Sequence, residues 1–206
     1  AHDWQDSKYE VLSGDKHTIT VGDTTYQRIR ALRHIERPFG LPPIEPGDLG
    51  GYIATSPNYG ITLSHYGSCW IADEAFVSGY ISDDAQITGH AHVGYPSKVD
   101  GQSLISDFAQ VIDGAEVTSS MVTDYAQVVG RNFEGLDKDL IFNRRQTTIN
   151  SHCWVSGRAR VSDGAWVTRF SRVSGSAVVA GYVQLRKGSI VTGGVMLVSE
   201  RGFVDL

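Results

Sequence analysis

The chain has 206 residues and a formal net charge of −5, and 41% of its residues are hydrophobic. This length suits one long domain or a domain with a cap. The negative charge argues against a nucleic-acid or an anionic-membrane partner, and no run of 18 apolar residues occurs that would span a membrane. The polar start of the chain lacks a secretory h-region, so we expect an intracellular location.

Residues 1–66 show no repeat. Residues 9–12, 18–21 and 25–35 have the composition of short strands. Residues 37–46 hold four of the six prolines and are predicted to be an irregular excursion. Because a stack of strands exposes open edges at its ends, which invite aggregation, we predict that residues 1–66 form an N-terminal β cap.

From residue 67 onwards the sequence repeats with a period of about six. A large aliphatic or aromatic residue recurs, as in Val99, Ile105 and Val111, and a small residue usually lies two positions earlier. Residues i and i−2 of a strand share a face, so each hexapeptide supplies a short strand with one large and one small inward side chain, and then a turn. Such hexapeptide repeats are typical of a parallel β-helix. The 21 units of residues 67–206 predict an all-β, single-stranded parallel β-helix of about seven coils.

The repeat fails between Val128 and Ile149. Residues 130–147 are therefore predicted to form one protruding excursion loop, and long irregular loops of compact domains are often functional. We predict the following partner-binding residues in it: Arg131, Phe133, Glu134, Asp137, Lys138, Arg144 and Arg145.

The residue before each large aliphatic should point outwards from a flat wall. One wall then presents Trp70, Gln86, Leu104, Met121, Trp154, Arg172 and Ile190. Large apolar groups on an exposed face mark interaction sites, and Trp and Met are enriched at interfaces. We predict that Trp70 and Trp154 contact a partner; the alternative is that the cap, the loop or the C-terminal tail covers this column.

Cys69 and Cys153 both occupy the small inward position. They lie four coils apart, about 19 Å at a coil rise of about 4.8 Å, which is beyond the reach of a disulfide. We predict that both are buried and reduced, and that neither is a metal ligand or a nucleophile.

The segment Gly47-Asp48-Leu49-Gly50-Gly51-Tyr52-Ile53, followed by Gly67-Ser68-Cys69-Trp70-Ile71, resembles YdcK-like proteins of enteric bacteria and of phage or prophage sequences. The hexapeptides are similar to the left-handed β-helix of the trimeric LpxA-like superfamily. This resemblance implies a left-handed coil, a homotrimer and a cytoplasmic location in a bacterial or phage-infected cell. The family is labelled acetyltransferase largely by fold analogy.

Acyltransferases of this superfamily use a histidine as general base at a subunit interface. A histidine near pH 7 can take the proton of an acceptor amine or hydroxyl. The resemblance therefore implies His90, His92 or His152 as the catalytic base and acetyl-CoA as the cofactor. No metal site is expected, because His90 and His92 would supply two ligands without a third.

Two hypotheses of function remain open. The first is a non-catalytic binding or scaffold β-solenoid, phage- or prophage-encoded, which recognises a protein partner through the excursion loop and the aromatic wall and needs no cofactor. The alternative is an acetyl- or acyl-CoA-dependent transferase with a histidine base at a subunit interface. A virion fibre or tail component is a third reading.

Overall fold

The structure, a computed structural model, describes residues 7–56, 59–131 and 145–206, without the side chains of residues 201–203. In chain order the strands are β1 (Tyr9–Val11), β2 (Thr18–Val21), β3 (Thr24–Ala31), β4 (Leu49–Ala54), β5 (Trp70–Ile71), β6 (Phe76–Val77), β7 (Tyr80–Ile81), β8 (Gln86–Ile87), β9 (His92–Val93), β10 (Lys98–Asp100), β11 (Leu104–Ile105), β12 (Gln110–Ile112), β13 (Glu116–Thr118), β14 (Met121–Val122), β15 (Gln127–Val129), β16 (Thr148–Asn150), β17 (Trp154–Val155), β18 (Arg160–Ser162), β19 (Trp166–Val167), β20 (Arg172–Val173), β21 (Val178–Leu185), β22 (Ile190–Val191) and β23 (Met196–Asp205). A 3-10 turn at Asp15–His17 is the one helical element of the described residues.

The strands form a parallel β-solenoid of about seven coils, which confirms the predicted all-β fold class. Wall A stacks β6, β9, β12, β15, β18 and the first half of β21, and wall B stacks β7, β10, β13, β16, β19 and the second half of β21. Wall C stacks β5, β8, β11, β14, β17, β20 and β22. We number the coils 1 to 7 by these seven strands of wall C, and we name each corner by the two walls that it joins.

The strand register follows the large residues of the sequence repeat. On wall C, Ile71 lies opposite Ile87, and Ile105 lies opposite Val122, although the two pairs are separated by different numbers of residues. When fewer residues separate two stacked strands, a corner of the coil is therefore shorter, and the large residues of the wall still lie opposite each other. These side chains are buried, and burying a Val or an Ile stabilises the fold by about 1.5–3 kcal/mol.

Small residues line the same interior. Ala85, Ala109 and Ala159 are fully buried between the walls, in one continuous core with the aliphatic ladders. Cys69 and Cys153 are buried in equivalent positions four coils apart, as the repeat predicted. Small side chains are favoured there, because three walls converge on a narrow axis, although Val183 also occupies this position.

The corner between walls C and A has a repeated backbone conformation. Its first residue has a positive φ in every coil, and that residue is an aspartate or a glycine: Asp73, Gly89, Asp107, Asp124, Gly157, Gly175 and Gly193. Glycine adopts this conformation without strain, and aspartate tolerates it better than most residues do. The aspartates also accept hydrogen bonds from the next coil, for example from the Gly157 N–H to Asp124 Oδ2 at 2.8 Å.

The N-terminal strands continue the solenoid. Strands β1, β3 and β4 pair antiparallel, and β4 pairs parallel with β6 at the start of wall A. The predicted strand 25–35 ends early, at Ala31, because Ile35 instead forms an isolated bridge with Ile44. In the described part of the chain, no helix has the length and apolar character needed to cross a bilayer.

Candidate functional site

The outward column of wall C exists as the sequence predicted. Strand pairing places Trp70 beside Gln86, then Leu104, Met121, Trp154, Arg172 and Ile190 in one line. This line runs the whole length of the solenoid. Its two ends have different environments.

The N-terminal end of the column is covered. Arg37 Nε donates a hydrogen bond to Gln86 Oε1 at 2.7 Å, and Gln86 Nε2 donates to the Ser68 carbonyl at 2.7 Å. Trp70 is 0% exposed, and its ring packs close to Gly50. The prediction that Trp70 contacts a partner is therefore corrected, because the cap buries this residue.

The C-terminal end of the column is open. Trp154 is 37% exposed and Ile190 is 71% exposed, whereas Leu104 and Met121 are half-buried. The Trp154 indole is fixed, because Nε1 donates a hydrogen bond to Thr123 Oγ1 at 2.8 Å and the Arg172 guanidinium lies 5.8 Å from the ring centroid.

Phe170 extends this surface at the adjacent corner of walls B and C. Its side chain is 68% exposed and stacks on His152 with ring centroids 5.5 Å apart. Arg169 and Phe170 both have positive φ, which is uncommon for residues other than glycine. Sequence reasoning missed Phe170; the available signal was its spacing of 18 residues, one full coil, from His152. We define the wall C patch as Leu104, Met121, Trp154, Phe170, Arg172 and Ile190.

The three candidate histidines lie on three different surfaces. His90 is exposed at the corner of walls C and A, where it stacks on Phe108 at 4.9 Å, and Phe108 stacks on Tyr125 at 5.1 Å. His152 lies at the corner of walls B and C, on the opposite edge of wall C. It is three coils from His90, or about 14 Å along the solenoid axis. A single chain therefore does not bring these histidines together.

His92 differs from the other two because it is partly covered. It lies on wall A, its ring stacks on Phe76 at 4.3 Å, and Nε2 has no hydrogen-bond partner among the described residues. Burial lowers the pKa of His92, and the Asp113 carboxylate opposes this effect weakly. His92 occupies the outward position of β9, but Phe76 of the coil below covers one face of its ring.

The three candidate histidines do not line the cavity found in the cap. A shallow cavity of about 270 Å³ lies in the cap and is lined by Asp23, Thr24, Thr25, Thr55, Ser56 and Tyr59. The described residues contain no group of three or more His, Cys, Asp or Glu side chains that could hold a metal ion.

The excursion leaves the corner of walls A and B, the corner opposite wall C. Its two ends are attached to the coils. The Arg131 N–H donates to Gln146 Oε1 at 2.5 Å, and the Arg131 guanidinium lies 5.5 Å from the Tyr182 ring. Arg145 is buried, with its guanidinium 4.1 Å from the Trp166 ring. Arg145 was predicted as a partner-binding residue, but in the isolated chain it packs on the coils.

Five further residues of the loop were predicted to bind a partner. Phe133, Glu134, Asp137, Lys138 and Arg144 lie outside the described residues. We name the described residues that surround the two ends of the excursion the loop corner: Arg131, Arg145, Gln146, Trp166 and Tyr182.

A buried polar cluster joins the start of the chain to coil 1, and sequence reasoning did not find it. Lys8 is fully buried, and its Nζ donates to the Cys69 carbonyl at 2.7 Å and contacts Cys69 Sγ at 3.0 Å. Burial lowers the pKa of Lys8 and raises the pKa of Cys69. Because these contacts tie Lys8 to the first coil, we assign the cluster to fixing the cap.

No protein-family model matches this sequence, and a comparison with curated proteins finds no significant match.

Proposed function

We propose that this chain is a non-catalytic binding or scaffold protein that binds a protein surface through the wall C patch. The observation that carries this proposal is the open end of the column, where Trp154, Phe170 and Ile190 are exposed on adjacent coils. Exposed apolar groups that are contiguous, and not scattered, mark interaction sites. The patch sits on hydrogen-bonded strands, so little conformational entropy is lost when it binds.

A second surface, the loop corner, lies opposite wall C. The excursion starts and ends there, and cation–π contacts of Arg131 and Arg145 attach its ends to the coils. A loop attached in this way can present its residues to a partner from a fixed position. We propose that the loop corner is a second contact with a protein partner. That residues such as Phe133 and Lys138 contribute to this contact stays a prediction.

We also propose that the chain is a YdcK-like member of the LpxA-like superfamily, with hexapeptide repeats and a left-handed coil. Support comes from the parallel coils and from the Gly50-Gly51 pair of β4. A Cβ on Gly51 would lie 2.5 Å from the Ala75 carbonyl oxygen, and a Cβ on Gly50 would lie 2.6 Å from Ile29 Cγ1. The Gly-Gly-aromatic segment on which the resemblance rests lies within strand β4, and its two glycines are needed for the close approach of β4 to coil 1. A phage or prophage origin and a cytoplasmic location remain proposals from the same resemblance.

The binding proposal is tested with a matched pair of variants. Ile190 and Ile61 are equally exposed, at 71% and 70%, but Ile61 lies outside the patch. Immobilised wild-type protein, Ile190→Ser and Ile61→Ser would be incubated with a lysate of the source cell, and bound proteins would be quantified by mass spectrometry. We expect Ile190→Ser to lose a bound protein that Ile61→Ser keeps; equal binding by all three would contradict the proposal.

One observation favours the alternative function. Because burial lowers the pKa of His92, its imidazole is neutral near pH 7, which is the protonation state of a general base. Transfer of an acetyl group from acetyl-CoA to amine and hydroxyl acceptors would be measured for wild type, His92→Gln, His90→Gln and His152→Gln. Under the binding proposal, neither the wild type nor any variant transfers the acetyl group. Turnover that one histidine substitution abolishes would establish the transferase instead.

A further inference from the structure

The solenoid has a strong charge asymmetry along its axis. Residues 67–130, which build coils 1 to 4, contain nine carboxylates and one lysine. Residues 145–206, which include all strands of coils 5 to 7, contain eight arginines and lysines and three carboxylates, and one of these carboxylates, Asp205, pairs with Arg186. The overall charge of −5 conceals this asymmetry. The corner aspartates are also held in place, since Asp107 and Asp124 accept hydrogen bonds from the backbone of the next coil.

This asymmetry affects how two such chains can pack side by side. A parallel pair would place acidic coils against acidic coils and basic coils against basic coils, and juxtaposed like charges are costly at an interface. An antiparallel pair would place acidic coils against basic ones. The seven coils extend about 34 Å, several times the Debye length of about 8 Å at physiological salt. The charges of the coils that face each other across the interface therefore decide between the parallel and the antiparallel pair. The net charges of the whole molecules do not.

The covered end of wall C gives a second, steric reason. Arg37 lies over Gln86 of coil 2, so only coils 3 to 7 are open. In a parallel face-to-face pair, the Arg37 segments of both copies would meet and hold the walls apart. In an antiparallel pair centred on coil 5, the Arg37 segments of the two copies lie at opposite ends of the interface and do not meet.

We propose that the wall C patch is covered by a second copy of this chain, antiparallel to the first, with a two-fold axis passing beside Trp154. This dimer departs from the homotrimer that the resemblance implies. A two-fold interface uses the same surface on both subunits. The axis places Leu104 opposite Ile190 of the second copy, Met121 opposite Arg172, and Trp154 opposite Trp154. At the corner of walls B and C it places Asp100 opposite Lys187.

This arrangement rests on the proposed function, because it names the protein surface that the wall C patch binds. It also leaves the loop corner free. Since that corner lies opposite wall C, the two loop corners of a dimer lie on opposite sides, and both remain accessible to further partners.

The mass in solution tests the assembly first. Light scattering over a range of protein concentrations is expected to approach twice the chain mass of 22.4 kDa. Trp154→Glu introduces two facing carboxylates at the axis and is expected to raise the dissociation constant at least about tenfold, which corresponds to about 1.4 kcal/mol. Ile61→Ser is the control and is expected to dimerise like wild type. A monomer at all concentrations, or a trimer, overturns the proposal.

Disulfide trapping tests the orientation. Met121→Cys and Arg172→Cys are made separately, with Cys69 and Cys153 retained because they are buried. The antiparallel arrangement predicts a cross-linked dimer when the two variants are mixed and little cross-linking of either variant alone. A parallel arrangement gives the reverse, with each variant cross-linking to itself, and overturns the proposal. Trp154→Cys alone is expected to cross-link.

The two proposals fail in different ways. If the protein is monomeric and Ile190→Ser loses a bound protein from the lysate, the antiparallel dimer is wrong and the binding function stands. If the protein is monomeric and no variant differs from wild type in binding, both are wrong.

Discussion

Single residues of this protein have environments that their place in the repeat does not reveal. His92 occupies the outward position of β9, as Gln110 does in β12, yet its ring is stacked and half-buried. The reason is the residue one coil below, Phe76, whose ring has the area to cover an imidazole. Lys8 shows the same principle, since a lysine outside the repeat is fully buried against Cys69.

The lowered pKa of His92 predicts a pH dependence of stability. The unfolded chain binds a proton at His92 below its ordinary pKa of 6.5, whereas the folded protein binds that proton only at lower pH. The unfolded state therefore binds more protons in this window, and the free energy of unfolding falls as the pH falls below about 6.5. The loss is about 1.4 kcal/mol for each unit by which the pKa is lowered.

Urea unfolding of wild type and His92→Gln between pH 7.5 and pH 5 measures this effect. We expect the stability of the variant relative to wild type to rise on acidification, because all other titrating groups are shared. Phe76→Ala serves as a second variant. It uncovers the ring, so its own loss of stability between these pH values should be smaller than that of wild type. A constant difference between wild type and His92→Gln would contradict the assignment.

At the scale of elements, β4 determines how the cap joins the coils. It pairs antiparallel with β3 and parallel with β6, so one strand passes its backbone hydrogen bonds from the cap to wall A. Gly50 and Gly51 allow this contact, because a Cβ at either position would collide with coil 1 or with β3. The strand itself was not among the three strands predicted for the cap, since glycines are uncommon in strands.

The close approach of β4 predicts the effect of a single methyl group. Gly51→Ala would place a Cβ 2.5 Å from the Ala75 carbonyl oxygen and 2.7 Å from Ile71 Cγ2. Neither contact is with the end of a flexible side chain, so the strand must shift, at a cost of about 1–3 kcal/mol. Gly194→Ala is the matched control, because its Cβ would meet nothing within 4 Å. Thermal unfolding should show a lower Tm for Gly51→Ala alone; a similar Tm for both variants would contradict the packing.

At the scale of the whole molecule, the solenoid is continuous on both sides of the excursion. Strand β13 pairs with β16, and β15 pairs with β18, although residues 130–147 separate them in the chain. The corner is closed by side chains at the two ends of the loop: Thr147 Oγ1 donates to the Val129 carbonyl at 2.6 Å. These strand pairs and this hydrogen bond are formed by residues outside 132–144.

This continuity predicts that the excursion can be shortened without loss of the fold. We expect a variant in which a short Gly-Ser linker replaces residues 132–144 to keep the β circular dichroism spectrum and a Tm close to that of wild type, because lengthening or shortening a surface loop changes the closure entropy only slowly. Loss of a bound partner with retained fold would assign the loop to binding. Loss of the cooperative transition would show that the loop is part of the core.

The candidate site was predictable only in part. The column of wall C follows from the period, so Trp154, Arg172 and Ile190 were placed correctly relative to one another. Burial along the column was not predictable, since it depends on where the non-repeating segment around Arg37 lies. The charge asymmetry is present in the sequence. Its consequence for the packing of two chains through wall C could be argued only once the structure showed that coils 1 and 2 of this wall are covered.

The sequence by itself determined the parallel solenoid, the number of its coils and the burial of both cysteines, because a repeat places each residue by its distance from its neighbours along the chain. The tertiary structure alone decided which part of the repeat stays exposed: Trp70 is buried, Trp154 is open, and His92 is covered by Phe76. Those outcomes depend on contacts between segments that have no periodic relation to one another, such as Arg37 with Gln86 and Lys8 with Cys69. A period fixes register within the coils, and it carries no information on where a non-repeating cap will pack.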